Sequence, residues 1–542
     1  MPARLLVFGL DGANWELIGR GIREGRLPTF QALLGRSLHG DLKSTLPFMT
    51  PPAWTSSFTG VNPGAHGIQD FFSCEEETYA QRFATSADCA SETVFSRLSK
   101  AGRTVCAINI PFSYPPEAVN GIHVSGFGTP DAESDYVYPK DEREEFKGIY
   151  DVFANPSEFG LQSYHREEEY ARQVNAFTDN LHRVTSKKLS SRAWDAFIVV
   201  FDGTDRLQHK FWKHFDCSHP LHASADKKFA RVIPEHYERL DGMLRDLVLK
   251  AGPDAAIMAY SDHGFGPVRR YVFVNRVFEK AGLFVWKHSK VERALARLSS
   301  FIKAIASLAI SLGMKRMIAS IKRRMESLHV RSAFLDLSEW GRTKAFLSSA
   351  SGIGVRLNVL GREPEGIVSP EDAPKVRESV RRLLLGLLDP ETGRAPFDEV
   401  VLREEAYHGA CLGRAPDLLL VPAEGYSVAR GWSEAPFVHV GERMGGISGN
   451  HRPLGMFALA APGVVPGRRD PPPRIEDIAP TILEILGVPI PEGLDGNSLL
   501  GGKPTAPAPP PPPPPSSPNG GSAYTPGEEE ALKRRLEDLG YL

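Results

Sequence analysis

Three aspartates in this chain each follow a short apolar run, and two of them keep a histidine close by. Asp11 closes VFGLDG, Asp205 and His209 lie in FDGTDRLQH, and Asp262 and His263 lie in AYSDHG. His451, in GNHRPLG, is a further candidate from a later loop. A lone aspartate after a strand is ordinarily a helix N-cap, and a lone loop histidine is ordinarily hydrogen-bonded at the surface. Three strand-end acids with two attendant histidines are harder to explain as caps. Asp205 and His209, four residues apart, share one face of a helical turn. Carboxylate oxygen and imidazole nitrogen without thiolate suit Zn²⁺, Mn²⁺ or Fe rather than Ca²⁺. Six such donors divide into two groups of three, enough for two divalent ions that stabilise the attacking and leaving oxygens of a phosphoryl displacement.

A nucleophile is expected in TLPFMTPPAWTSSFTGVNPGAHG, residues 45–67. Thr50 reads as an N-cap, with Pro51 in the first helical turn where no N–H is needed. The helix TPPAWTSSFTG would then turn its positive end and free amides toward the threonine. A hydroxyl beside an anion site, bound to a metal that lowers its pKa, is an activated nucleophile.

The elements that position these residues are short β-type runs: RLLVFGL (4–10), TVCAINI (104–110), AFIVVF (196–201) and AAIMAY (255–260). Continuous apolar runs of this length belong to parallel strands covered on both faces. Helical stretches between them, YARQVNAFTDNLHRVTSKKL and EHYERLDGMLRDLVLKAG, give the alternation of an open α/β sheet. In such sheets ligands bind beyond the carboxyl ends of the strands, so Asp11, Asp205 and Asp262 should open onto one crevice.

The chain has 542 residues, enough for two to four domains' worth of material, with 42% hydrophobic and 24% charged residues. A net charge of -2 provides no global field for nucleic acid, and none is expected as a structural partner. The apolar run at the amino terminus is far too short to span a bilayer. Cys74, Cys89, Cys106, Cys217 and Cys411 are scattered, without a CxxC pair, which points to a reducing compartment and a cytoplasmic location.

Residues 1–276 and 341–500 read as two parts of one catalytic core, interrupted by a helical insertion at 277–340. Within it, 284–331 reads as two amphipathic helices joined near Gly313. From Lys287 to Arg331 it carries eleven Lys or Arg against two Glu. That basic face is a solvated surface, a cap that attracts an anionic substrate, or a peripheral contact with anionic lipid. Residues 501–527 form a Pro-rich linker unable to pack a core, followed by an amphipathic helix at 528–542 that could dock on the body or bind a partner.

Taken together, DG at 11–12, TPPAWTSSFTGVNPGAHGI at 50–68, DRLQHKFW at 205–212, SDHGFG at 261–266, GNHRPLG at 449–455 and IEDIAPTILEILGVPIPEGLDGNSL at 475–499 resemble the type I phosphodiesterase/nucleotide pyrophosphatase branch of the alkaline phosphatase superfamily. The resemblance implies an alkaline-phosphatase-like α/β sandwich: a central, mostly parallel sheet with helices on both faces, plus the helical insertion. It implies one metal, usually zinc, on Asp11, Thr50, Asp262 and His263, and a second on Asp205, His209 and His451. It also implies that Thr50 attacks phosphorus and forms a phosphothreonine.

One position departs from the pattern. Where the nucleotide pyrophosphatases carry an asparagine that helps hold a phosphoryl oxygen, HGIQDFF places Phe71. Oxyanion stabilisation then falls to the metals, the helix amides and Asn14, unless Asn14 caps the following helix. Arg362, in GREPEG, either clamps a substrate anion or forms a structural ion pair. The expected activity is phosphodiester hydrolysis of an anionic phosphate-ester substrate. A phosphomonoesterase, a phosphosugar mutase or a non-catalytic scaffold with a Pro-rich tail are the alternatives. A sulfatase would need Cys or Ser where Thr50 stands.

Overall fold

Leu5 and Val7 face one layer of helices and Leu6 and Phe8 face the other, so the first strand is buried on both sides as its unbroken apolar run requires. In the computed structural model, the described residues are 3–74, 79, 81–149, 167–287, 338–349, 351–431, 433–442, 447–507, 524–525, 527–529, 531–532 and 536. A nine-stranded sheet runs, edge to edge, Gly467–Arg468, Leu38–Lys43, Leu454–Ala460, Ala256–Tyr260, Ala3–Leu10, Trp194–Phe201, Val105–Ile110, Gly121–Ser125 and Val137–Tyr138. The five strands from Ala256–Tyr260 to Gly121–Ser125 are mutually parallel. Leu454–Ala460 and Val137–Tyr138 pair antiparallel with their neighbours. The expected sandwich with a mostly parallel sheet is the architecture observed.

On one face, Ile18, Phe177, Leu240 and Leu244 from the helices Trp15–Arg23, Glu167–Leu189 and Val232–Ala251 pack on Leu6 and Phe8. On the other, Trp54 and Phe58 of the helix Thr50–Thr59 lie with Phe95, Ile478 and Ile482 over Leu5 and Val7. The closing segment also holds the far end of the Thr50 helix. Gly60 ends that helix at φ +76, a conformation that favours glycine, and its carbonyl accepts the amides of Asp495 and Gly496 at 2.9 and 3.1 Å.

Residues 345–422 build a second, antiparallel sheet in the order Ala345–Leu347, Gly354–Leu357, Leu418–Pro422, Phe397–Leu402. The helix Ala373–Leu385 closes its separate core through Val380 and Leu384. Nothing in the sequence pattern marked this unit off from the rest of 341–500. Arg362 sits here in an ion pair with Asp417 (2.6 Å) and Glu363 (2.8 Å), which is the structural alternative of the two considered. The strand Gly264–Phe273 joins the two parts. It leaves the main crevice and pairs with Gly425–Ala429, Phe437–His439 and Gly449–Arg452.

The basic helices expected at 284–331, with Lys322, Arg323 and Arg324, lie from residue 288 onward outside the described residues, as does linker segment 508–523. Among the described residues no helix is long and apolar enough to cross a membrane. Beyond the linker, Tyr524, Leu532 and Leu536 pack back onto the body.

Candidate active site

Sheet register brings the strand ends level. Leu10 pairs with Phe201 and Gly9 with Tyr260, so the residues that follow emerge into one crevice. Asp11 is held there by its amide, which donates to Phe201 O at 2.9 Å. Gly12 follows at φ +67, and its amide donates to Asp262 Oδ1 at 3.1 Å. A Cβ on Gly12 would meet the Phe265 and His263 rings at 3.1 and 3.3 Å. The turn therefore needs glycine both for its backbone and for the closeness of the ligand loops.

Asp205 and His209 lie one turn apart on the helix Gly203–Phe215, with His209 Nε2 3.2 Å from Asp205 Oδ1. His451 is on a strand, not in a loop. Gly449–Arg452 pairs antiparallel with the strand that starts after His263, placing His451 opposite Phe265. The Gly, Asn and Pro of GNHRPLG read as loop residues, but the strand is only four residues long and Pro453 falls just past its end. His451 Nε2 lies 2.9 Å from Asp205 Oδ1 and 3.0 Å from His209 Nε2. Its ring stacks on His263 at 3.7 Å between centroids.

All three imidazoles turn Nδ1 toward a backbone carbonyl: His209 to Gly449 O (2.9 Å), His263 to Gly264 O (3.0 Å) and His451 to Phe48 O (3.3 Å). With the ring proton on Nδ1, each Nε2 is free to ligate a cation, the arrangement of metal-binding histidines; in the metal-free protein Asp205 Oδ1 instead accepts from Nε2–H of its histidine neighbours. Two triplets have their ligand atoms within 4.8 Å of one another: Asp11, Asp262 and His263, and Asp205, His263 and His451. His263 belongs to both, and His209 joins the second through its contacts with Asp205 and His451.

Burial makes the demand for a cation acute. Asp11, Asp205, His209, Asp262, His263 and His451 are each at most 5% exposed. His263 Nε2 lies 3.3 Å from Asp262 Oδ2 and 3.5 Å from Asp11 Oδ1, yet none of these three buried atoms has a hydrogen-bond partner among the described residues. Burial pushes the carboxyls of Asp11 and Asp262 well above the ordinary range, and neighbouring carboxylates push them further. Burial also holds His263 and His451 in the neutral form. Burial opposes ionisation of Asp205 too, but the imidazoles of His209 and His451 overcome it and hold that carboxyl well below the ordinary range. Imidazole nitrogens and carboxylates converging in a buried pocket fit a bound cation.

The helix begins at Thr50, one residue earlier than the reading of Thr50 as its cap. Met49 is the N-cap, in extended conformation, and its carbonyl accepts Ala53 N–H at 3.0 Å, so Thr50 and Pro51 are the first two helical residues. The expected cradle of free helix amides shrinks accordingly. Pro51 and Pro52 have no N–H and that of Ala53 is taken, which leaves Thr50's own N–H as the one in the first turn with no helical carbonyl to bond. Thr50 is buried, and its helix is tied to both triplets. Phe48 O contacts His451 two residues before it, and Trp54 Nε1 donates to Asp11 Oδ2 at 3.1 Å four residues after it.

Asn14 is a cap. Its Oδ1 accepts from Leu17 N–H at 2.9 Å at the start of Trp15–Arg23, and its Nδ2 donates to Phe265 O at 2.9 Å. Together the two bonds brace the Asp11 turn against the strand after His263. Phe71 is buried at 1% exposure against Phe112 and Phe127. Two supporting residues were not singled out from sequence. Thr204 donates its hydroxyl to Asp11 O, and Gln208 Nε2 donates to Gly12 O at 2.8 Å. Both lie on the helix that bears Asp205 and His209, and their i, i+4 spacing was the available signal.

No curated protein matches the chain in sequence. Among solved structures, phosphonoacetate hydrolase from Sinorhizobium meliloti 1021 in complex with phosphonoformate is similar at a TM-score of 0.52 and 13% identity, covering 90% of this chain and 96% of that one. Its complex with phosphonoacetate gives 0.51 at 13% identity, with the same coverage. Murine ectonucleotide pyrophosphatase/phosphodiesterase 5 gives 0.47 at 12% identity, covering 91% of this chain and 97% of that one. Identities this low speak to the fold. The type I phosphodiesterase / nucleotide pyrophosphatase profile matches residues 5–453, a span that contains every candidate ligand from Asp11 to His451. The chain therefore belongs to the type I phosphodiesterase/nucleotide pyrophosphatase family, a branch of the alkaline phosphatase superfamily, and is a phosphoester hydrolase.

Proposed function

We propose that the protein is a two-metal phosphodiesterase that works through a phosphothreonine at Thr50. The observation that carries this reading is the convergence of three Nε2 atoms on three buried carboxylates, with Asp11 Oδ1, Asp262 Oδ2 and His263 Nε2 left without hydrogen bonds among the described residues. Asp11, Asp262 and His263, with Thr50, would hold one divalent ion, and Asp205, His209 and His451 the other. The mixed oxygen and nitrogen donor set suits zinc, with manganese or iron as the alternatives. When bound, such ions supply positive charge against the phosphoryl oxygens and lower the pKa of a coordinated hydroxyl.

The chain's own residues carry the sequence of bonds. Thr50 loses its hydroxyl proton and its Oγ1 bonds to phosphorus as the ester P–O bond breaks, and the leaving alkoxide takes up a proton. Water then attacks the phosphothreonine, and the Oγ1–P bond breaks as Thr50 regains its proton. Met49 and the two prolines fix the start of the helix, so the nucleophile approaches from a rigid element rather than a loop. The residues 45–55 around Thr50 contain no Arg or Lys to offset a monoester's extra charge, which favours a diester. The free thiols of Cys89, Cys106, Cys217 and Cys411 support a reducing compartment.

The test is hydrolysis of bis-p-nitrophenyl phosphate beside p-nitrophenyl phosphate and phosphonoacetate, with Zn²⁺ or Mn²⁺ supplied. Thr50→Ala is expected to lower kcat on the diester by about 10³-fold or more. Acid quench of the wild type during turnover should trap phosphate on Thr50. Undiminished turnover in Thr50→Ala would remove the nucleophile. Faster turnover of the monoester or of phosphonoacetate would move the substrate class.

A further inference from the structure

Trp54 lies four residues past Thr50, on the same face of the helix Thr50–Thr59. Its side chain is fully buried. The ring packs on Tyr260 at 5.2 Å and on Phe58 at 5.7 Å between centroids. It occupies a notch at Gly9, where the strand Ala3–Leu10 has no side chain. A Cβ there would come within 2.8 Å of the indole Cη2 and 2.9 Å of Val200 Cγ2. Ser57 fixes the same turn of the helix through its hydroxyl, which donates to Trp54 O at 2.8 Å. That leaves the Tyr260 hydroxyl to donate to Ser57 Oγ at 3.1 Å. Gly9 and Tyr260 are paired in the sheet, two residues before Asp11 and Asp262 respectively, so the strands that deliver both ligands also seat the indole.

The indole N–H is the one polar atom of this side chain, and it donates to Asp11 Oδ2 at 3.1 Å. The other oxygen, Oδ1, lies 3.5 Å from His263 Nε2 and has no hydrogen bond among the described residues. Asp262 is divided in the same way. Its Oδ1 accepts the Gly12 amide at 3.1 Å, while its Oδ2 lies 3.3 Å from His263 Nε2 and has no hydrogen bond among the described residues. In each carboxylate an N–H holds one oxygen and the other turns to the same imidazole nitrogen. The Gly12 amide is backbone, a donor that almost any residue supplies. The indole N–H is a choice of side chain, since a phenyl ring in the notch would offer no donor.

We propose that Trp54 is a positioning residue for Asp11: its indole N–H holds Oδ2 and presents Oδ1 alone to a divalent ion, in register with Thr50 on the same helix. This role rests on the two-metal reading above for its ion, whereas the hydrogen bond and the packing stand without it. A carboxylate released from the indole turns about its Cβ–Cγ bond and offers either oxygen. The ligand and the nucleophile are then no longer fixed to one another.

Three full-length variants separate this role from core packing. Trp54→Phe removes the N–H and keeps an aromatic ring. Benzothienylalanine at position 54 puts sulfur in place of the N–H and keeps the shape of the indole. Phe95→Leu loosens the same apolar layer one ring away, beyond Phe58. Zn²⁺ affinity of the chelated proteins is measured by competition with a chromophoric chelator, and kcat and KM on bis-p-nitrophenyl phosphate. Both replacements of Trp54 should weaken Zn²⁺ binding by about tenfold and lower kcat by about tenfold, with KM within about twofold. Phe95→Leu should lower the urea midpoint and leave Zn²⁺ affinity and kcat within about twofold. The benzothienyl protein carries the test if Trp54→Phe misfolds, because its packing is intact. Wild-type Zn²⁺ affinity and kcat in the benzothienyl protein would reduce Trp54 to a core residue and overturn the proposal, with the two-metal reading intact. A loss of Zn²⁺ affinity in Phe95→Leu equal to that in Trp54→Phe would overturn it in the same way. A wild type that binds no Zn²⁺ would sink the two-metal reading and the proposal with it.

Discussion

Asp205 sits between two imidazoles, its Oδ1 2.9 Å from His451 Nε2 and 3.2 Å from His209 Nε2. Asp11 and Asp262 share a single imidazole, His263, and press on each other. The donor types are the same, but the two halves carry opposite electrostatic loads. In the first, histidine contacts hold a carboxylate ionised despite burial. In the second, burial and mutual repulsion drive both carboxyls toward the neutral acid, and three buried atoms have no hydrogen-bond partner. One half is nearly self-sufficient without an ion, and the other is satisfied only with one. The difference teaches where a metal contributes folding energy as well as chemistry.

The largest way to break this comparison is to remove a carboxylate from the needy half. Asp262→Asn keeps Oδ1 to accept the Gly12 amide and discards the charge. It should lower kcat/KM on the diester by about 10³-fold, the several kcal/mol that charge stabilisation of the transition state is worth. It should also lower the metal content of the purified protein. Retained activity with one ion fewer would mean that this triplet does not hold the catalytic charge.

The same substitution should have the reverse effect on stability once metal is chelated. In metal-free protein Asp262→Asn relieves repulsion between buried carboxylates, so its urea midpoint should rise above that of the wild type. His209→Ala, in the other half, takes a partner from the ionised Asp205 and should destabilise metal-free protein by about 3 kcal/mol, the usual consequence of breaking a buried pair. If both variants move the midpoint in one direction, the two halves are not electrostatically distinct.

The pH dependence of the metal-free protein sharpens the contrast, with a sign for each half. Asp11 and Asp262 hold their protons more tightly folded than unfolded. Their contribution is full below the ordinary value of 3.8 and is lost as pH rises through the elevated folded values. Asp205 is the opposite: its contribution is present above 3.8 and is lost as pH falls through the depressed folded value. Raising the pH from about 5 to about 8 should therefore lower the urea midpoint of chelated wild type, and lower it less in Asp262→Asn. Buried histidines with lowered pKa act alike in both proteins, so a midpoint difference between them that does not change with pH would contradict the elevated carboxyls.

How much of this was legible in the sequence follows the range of each interaction. Strand runs and ligand positions are local, so 4–10, 196–201 and 255–260 announced both the sheet and the crevice. The placement of Asp11, Asp205 and Asp262 came from a topological rule, not from any pairing between them. What was hidden was non-local. His451 reaches His263 through an antiparallel pairing across more than a hundred residues, and its Gly-Asn-His-Arg-Pro context reads locally as a loop. The four-stranded unit of 345–422 is scattered over short strands whose partners cannot be guessed singly. The helix at Thr50 was placed within one residue, but that residue decides how many amides face the nucleophile. Two prolines reduce them to one. The loss follows from the sequence alone once the cap is known to be Met49.

The smallest expected effect concerns Asn14, whose two candidate roles separate cleanly. Serine caps a helix about as well as asparagine, so Asn14→Ser keeps an acceptor for the Leu17 amide while losing the bond from Nδ2 to Phe265 O. A cap and brace then predicts a stability loss of about 1 kcal/mol and an unchanged KM. A residue that holds a phosphoryl oxygen predicts the converse, a KM raised by about tenfold with stability scarcely moved. The brace joins the turn bearing Asp11 to the strand that follows His263, so a modest fall in kcat without a change in KM would also fit the first role. It would mean that Asn14 acts on the spacing of the needy half, the part of the site with the least internal support.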